Sequence, residues 1–514
     1  MIILYSDNGW IAVSSRLKGL AILVACFVVV ASTFVAFSIL NEEPETNTLP
    51  NNERWLEDFQ AFYEYVEGNY PYLWVKNRTH GYNWLDLKAR YEARISEAMN
   101  DSAVLDVFLD AICALQNRHT YLVNPDYYSF YISDLEGMPS PIGDVFSDEV
   151  INAKNDWSSA FAESYTRRQY SSFDALIVYE RGEYKIANSG PWKDQMGENL
   201  SVIAVNGADI DDVVEDCFEK DYIDWDFHRN KPYLWRISPR DFGENAVFTI
   251  RNSTGHETDM TFGTSNAYSG APYDYPTSLF ETQVWEEENT AYLYMSSFLW
   301  SEIQPYQTTI VDFLQSVEDY DHLIIDVRGN QGGNYASWIH PIVRPMISDT
   351  AVFQTYLGYR TDEHSDAYRT AIGITELVSK SQFEYLPPEA YGDEFEIYNY
   401  RHTFTPTHEV NFNGDISVLT DQVCYSATEG FLCFCKQTGF ATIYGIASGG
   451  DGIMEFPSFF TLPNSKIVIT LTSALGLNQT GHSSEEYRTE PDVFYESSFG
   501  SFTELIDYAR SHFT

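Results

Sequence analysis

Ser426 is the residue best placed to do covalent chemistry. It follows the apolar run Ile416–Thr420 and opens the segment Ser426-Ala-Thr-Glu429, whose continuation is amphipathic. The pattern predicts a buried strand, a turn and a helix, with Ser426 at the positive end of that helix. A hydroxyl so placed can attack a carbonyl, and the next backbone N–H, that of Ala427, can stabilise the oxyanion that forms. A second strand-like run, Leu323–Ile325, leads into Asp326-Val-Arg-Gly-Asn-Gln-Gly-Gly333. Gly332 and Gly333 have no Cβ, so backbone there can approach a ligand closely, and an N–H of either can supply a second donor. A plainer reading competes: Ser-x-x-Glu is also a capping box, in which the hydroxyl only closes the helix end. From this tetrapeptide alone the cap is the better reading.

The elements that must hold these residues are visible as changes of periodicity. From residue 280 onward, strand-like and helical runs alternate: Tyr292–Met295, Thr309–Val317, Leu323–Ile325, Ile416–Thr420, Ala427–Gln437, Ala441–Tyr444 and Ile467–Leu471. Alternation of that kind predicts an α/β core over 280–514 with several parallel strands. Upstream, Trp55, Phe59, Phe62 and Val66, then Leu105, Phe108, Leu109, Ile112 and Leu115, recur at helical spacing, so 52–125 is expected to be a small helical unit. Between them, 143–265 is β-rich, with strands expected at Ala175–Tyr179 and Ala246–Ile250. Asn206-Gly207 is expected as a hairpin turn between Leu200–Val205 and Ile210–Val214. A chain of 514 residues is too long for one core, which agrees with several folded units.

Charge and the N-terminus narrow the class. With 31 basic against 75 acidic residues, the chain is a poor partner for nucleic acid, whose phosphates need Lys and Arg. Leu20 to Leu40 is uncharged and long enough to cross about 30 Å of hydrocarbon as a helix. Arg16 and Lys18 precede it, and Glu42, Glu43 and Glu45 follow. The expectation is a cytoplasmic segment at 1–19, a transmembrane helix at 20–40, a polar linker at 41–51 and an extracytoplasmic remainder, so a single-pass cell-membrane protein. Beyond it lie Cys113, Cys217, Cys424, Cys433 and Cys435, an odd count without zinc or redox spacing. No metal site and no organic cofactor are expected.

Taken together and in order, Asp326–Gly333, Ser426–Glu429, Ala441-Thr-Ile-Tyr-Gly445 and Glu490-Pro-Asp492 resemble the tail-specific, carboxyl-terminal processing protease superfamily. Tricorn protease and the interphotoreceptor retinoid-binding protein are relatives within it. The resemblance covers about 280–500 and extends loosely over the helical unit and over a PDZ-like domain at 143–265. It implies a peptidase core in which Ser426 is the nucleophile. One branch uses a lysine base in a Gly-rich turn, but here that turn reads Ser448-Gly-Gly-Asp451-Gly452, and an aspartate cannot serve as a desolvated neutral lysine does. Asp451 is expected to cap its own turn.

The tricorn-like branch implies a histidine base just after the helical unit and an acid in the C-terminal segment. His119, in Arg118-His119-Thr120, and Glu485 stand at those places, with Glu486 as a neighbouring competitor. The implied function is a membrane-anchored extracytoplasmic serine endopeptidase that hydrolyses peptides or proteins through an acyl-enzyme. Ser426, His119 and Glu485 would be catalytic, and Ala427 with Gly332 or Gly333 would form the oxyanion hole. The alternative is a catalytically inactive scaffold that binds a peptide or an apolar ligand. Hydrogen-bond reach between His119 and Ser426 discriminates the two.

Overall fold

The computed structural model describes residues 52–169, 172–188, 200–265, 274–454 and 456–513. The helical unit forms as the periodicity predicts, through Asn52–Asn69, Leu73–His80, Lys88–Glu97 and Asp101–Cys113. Asn100 caps the last of these by accepting from Ala103 N, and Trp55, Phe59, Phe62, Val66, Leu105 and Phe108 are all buried. Their core is not private to the unit. It is continuous with Phe395, Ile397, Val468, Ile469, Leu471 and Leu475 from the C-terminal third, so the helices and the core bury one another. Past Asn117 the chain turns into a two-residue strand, Tyr121–Leu122, which pairs antiparallel with Val468–Leu471. That small ladder carries residue 119 into the heart of the molecule.

In the middle of the chain the strands Glu257–Thr261, Val247–Arg251, Ser201–Val205, Glu183–Asn188 and Leu176–Glu180 lie side by side in that order, all antiparallel. Asn206 and Gly207 have φ of 51° and 82°, as a tight hairpin turn demands. The strand after it is only Ala208–Asp209, because Asp209 accepts from Asp211 N and starts a short helix at Ile210–Val214. The expected second strand of that hairpin is therefore a helix.

The core sheet runs Phe280–Trp285, Thr290–Met295, His322–Asp326, Asp415–Thr420, Thr442–Gly445, Val493–Phe494. The first pair is antiparallel and the remaining neighbours are parallel. Its central strands are buried on both faces, and their sequences accordingly lack polar alternation. Three neighbouring parallel strands end at Asp326, Thr420 and Gly445, and Gly332, Ser426 and Asp451 each stand six positions beyond one of those ends. The carboxyl edge of a parallel sheet is where such folds place their ligands. A second, antiparallel sheet, built on the long hairpin Ala351–Arg360 and Phe395–Phe404, completes this third.

The expected fold class needs correction at its N-terminal element. No helix among the described residues is long and apolar enough to cross a membrane. The longest, Asp148–Gln169, has 22 residues but carries Asp148, Glu149, Arg167 and Arg168 at its ends. The helix expected at 20–40 lies outside the described residues, and attachment to a membrane through it has no structural support. The fold is a mixed α/β arrangement of helical unit, antiparallel middle sheet and largely parallel core sheet.

Candidate active site

Ser426 sits at the start of the helix Ala427–Thr438, yet its side chain makes no capping hydrogen bond. Its backbone holds φ 56° and ψ −125°, a conformation L-residues rarely adopt. Such a bend is held by its surroundings. Ser426 N donates to Gly450 O at 3.2 Å, and Gly449 N donates to Cys424 O at 2.7 Å, so the turn is clasped to the loop after Thr442–Gly445. Glu429, the supposed other half of a capping box, points elsewhere: its carboxylate accepts from Ser448 Oγ and from Thr489 Oγ1. The helix-cap reading of Ser426 fails on both counts.

What Ser426 Oγ does meet is His119 Nε2, at 3.0 Å. The opposite ring nitrogen, His119 Nδ1, lies 2.8 Å from Asp451 Oδ2. The imidazole is fixed by its neighbours as well. His119 N donates to Asn117 Oδ1, His119 O accepts from Thr470 Oγ1, and the ring packs on Tyr425 with centroids 4.8 Å apart. Asp451 is fully buried. Burial pushes its carboxyl up, but the hydrogen bond and charge of His119, with hydrogen bonds from Asn117 Nδ2 and Tyr72 OH, outweigh that and hold it below the ordinary carboxylate value. An ionised Asp451 takes the Nδ1 proton as its hydrogen-bond donor, which leaves the Nε2 lone pair facing the serine hydroxyl. The arrangement is that of a nucleophile, a base and an orienting acid.

The two glycines expected near the oxyanion behave differently. Gly332, at φ 103°, packs so tightly that a Cβ there would lie 2.7 Å from Ser426 Cβ and 2.8 Å from Ala427 N. Its own N–H, however, donates to Asn330 Oδ1 at 2.9 Å. Gly333 bridges Phe298 in a parallel pairing in which Phe298 bonds Gly332 O and Asn334 N, so Gly333 turns its N–H away from Phe298. Among the described residues neither Gly333 N nor Ala427 N has an acceptor. Both N–H groups can therefore donate to an incoming oxygen.

Glu485, expected beside His119, is instead paired with Lys76 Nζ at 2.8 Å and makes no hydrogen bond to the ring. Lys76 comes from Leu73–His80, a helix whose approach to this segment has no local signal. Glu486 is taken by Arg78. Arg118 spans away from the site, bonding Asp224 at 2.9 and 3.0 Å, and Arg488 reaches the same carboxylate at 3.2 Å. Asp326 and Arg328 form a buried ion pair beneath the Gly turn. Cys424 donates to Val327 O, and burial pushes its thiol well up, which disqualifies it as a nucleophile. Among the described residues no group of three or more His, Cys, Asp or Glu could hold a metal ion.

Asp451 is the site residue that the resemblance does not supply: its place in the Gly-rich turn reads as a turn cap, and the structure sets it against His119 instead.

Buried Glu429 gives a test by pH. Burial lifts its carboxyl from 4.5 to about 7, against the lowering effect of Ser448, Thr489 and Cys433. A raised folded-state pKa favours the protonated form, so its stabilisation is complete below about 4.5 and is lost as pH rises to about 7. The difference corresponds to roughly 3 kcal/mol. Glu429→Gln is expected to flatten the fall of Tm between pH 4.5 and 7, as read by thermal melts across that range. An unchanged slope would remove Glu429 as its source.

Residues 289–495 match peptidase family S41. No curated protein matches the chain. Among solved structures, that of a CPAF mutant aligns with TM-score 0.51 and 13% identity, over 90% of this chain and 95% of that one. The photosystem II D1 C-terminal processing protease aligns with TM-score 0.36 and 13% identity, over 86% and 93%. Tricorn protease aligns with TM-score 0.29 and 12% identity, over 84% of this chain and 36% of that chain. At such identity the CPAF likeness speaks to fold alone.

Proposed function

We propose that the chain, whose residues 289–495 match peptidase family S41, is a serine-type peptidase that cleaves peptide bonds within peptide or protein chains through an acyl-enzyme, with Ser426, His119 and Asp451 as its catalytic group. The observation that carries this is the continuous line from Ser426 Oγ to His119 Nε2 at 3.0 Å and from His119 Nδ1 to buried Asp451 at 2.8 Å.

Ser426 Oγ attacks the scissile carbonyl carbon while its proton passes to His119 Nε2. The imidazolium that forms is stabilised by the Asp451 carboxylate, and the new oxyanion accepts from Ala427 N–H and Gly333 N–H. His119 then gives its proton to the leaving amine as the C–N bond breaks. A water molecule, deprotonated by the same nitrogen, attacks the ester and releases the new carboxyl end. Glu485 and Lys76 form a part-buried ion pair rather than a step in this sequence.

Labelling with a fluorophosphonate probe followed by peptide mapping tests the assignment. The adduct is expected on Ser426 and on no other serine, and Ser426→Ala is expected to be unlabelled. A label that persists in Ser426→Ala removes the nucleophile.

A further inference from the structure

A cavity of about 130 Å³ opens between the middle sheet and the peptidase core. A cavity of roughly 150 Å³ can hold a benzene ring, so this one has room for a single side chain. The middle unit supplies aromatic walls, chiefly Tyr179, Trp225, Tyr233 and Trp235. The core supplies the other side, where Gln422 lies four positions before Ser426 and Ala447 four positions before Asp451. The cavity thus lies against both loops that carry the reacting groups.

Its charged lining is mostly acidic. Four carboxylates line it, those of Glu180, Asp226, Glu490 and Glu496, against the single guanidinium of Arg229. That guanidinium is already satisfied by Asp226 at 2.8 Å and Glu496 at 2.8 Å, so it has little to offer an incoming carboxylate. Glu180 accepts from Phe499 N, and Asp226 also accepts from Tyr179 OH. Glu490 is exposed at the mouth. Gln422 is 8% exposed, and its Oε1 is buried with no hydrogen-bond partner among the described residues. An unpaired buried carbonyl oxygen is costly, and only a donor relieves it. The same aromatic rings already attract cations: Lys231 Nζ stands 5.3 Å from the Tyr179 ring centre and the Arg236 guanidinium 5.8 Å from that of Trp235.

We propose that this cavity is an exosite for a basic side chain, lysine or arginine, of the peptide being processed. Aromatic faces, surplus carboxylates and an orphan acceptor are the three features that a desolvated ammonium or guanidinium requires. The inference rests on the peptidase reading only in taking the occupant from a substrate. Its place on the Gln422 loop makes the seated cation a neighbour of the turn that holds Ser426.

Binding to the Ser426→Ala variant tests it without any acyl chemistry, so the result stands apart from the labelling experiment. Two alanine–glycine peptides that differ only in one central residue, lysine or norleucine, are titrated by calorimetry. The lysine peptide is expected to bind about tenfold more tightly. That advantage is expected to shrink when Glu490→Gln, an exposed and structurally neutral change, is added, and to vanish with Trp225→Leu. Equal binding of the two peptides overturns the proposal, as does a lysine advantage that survives both substitutions in full.

Discussion

Asp451→Asn is expected to lower kcat by about 10⁴ with little change in the fold. The amide is nearly isosteric with the carboxylate, but it can present an N–H to His119 Nδ1. That stabilises the wrong tautomer, with the proton on Nε2 and no lone pair facing Ser426 Oγ. The charge lost is one that nothing else replaces, because Glu485 is committed to Lys76. Alanine at this position would be less informative, since it strands Tyr72 OH, Asn117 Nδ2 and His119 Nδ1 around a void. The measurement is kcat on a peptide substrate, with Tm as the check on folding. Acid should cost the native enzyme something related: a depressed carboxyl stabilises the fold above its ordinary value of 3.8 and loses that contribution as pH falls through its folded-state value. Glu485→Gln serves as the contrast, with a far smaller loss in kcat. If Asp451→Asn keeps its rate while Glu485→Gln loses it, the orienting role passes to Glu485.

His119→Ala is expected to cost about 10⁶ in kcat, as much as Ser426→Ala, and the double variant no more than either. Groups that act in one proton transfer fail together, because an unactivated hydroxyl and a base without its nucleophile are equally idle. The cycle of single and double variants therefore measures whether the 3.0 Å contact between them is a working one. Additive losses, each compounding the other, would show that Ser426 and His119 act in separate events, and the acyl-enzyme scheme would have to be abandoned.

How far the sequence reaches is clearest at Ser426. Strand, turn and helix are local patterns, and 416–438 reads correctly from them. Its φ of 56° does not show in Ser-Ala-Thr-Glu, because that angle is imposed by Gly450 O and by the close packing of Gly332, which arrive from other strands. A capping box and a nucleophile turn look alike until those neighbours are present. His119 stood out only through the family resemblance, since the 307 positions between it and Ser426 leave no periodic trace. The acid was harder still. Glu485 follows only from the resemblance to the tricorn-like branch, yet Lys76 captures that carboxylate, while Asp451 lies in a loop tied back to the serine turn. The Asn206-Gly207 turn was legible because two residues determine it. The helix after it was not, because Asp209 decides there between strand and cap.

The pairing of Tyr121–Leu122 with Val468–Leu471 has a consequence in time. The histidine leaves the ribosome early, but the strand that pins its neighbours lies 349 positions later. Domains fold in the order in which they are made. A nascent chain therefore has no strand to pin its base until Val468–Leu471 has emerged, after both the nucleophile and the acid have been made. Until that strand arrives the proposed catalytic group stays incomplete, and the delay is itself a safeguard against premature cleavage.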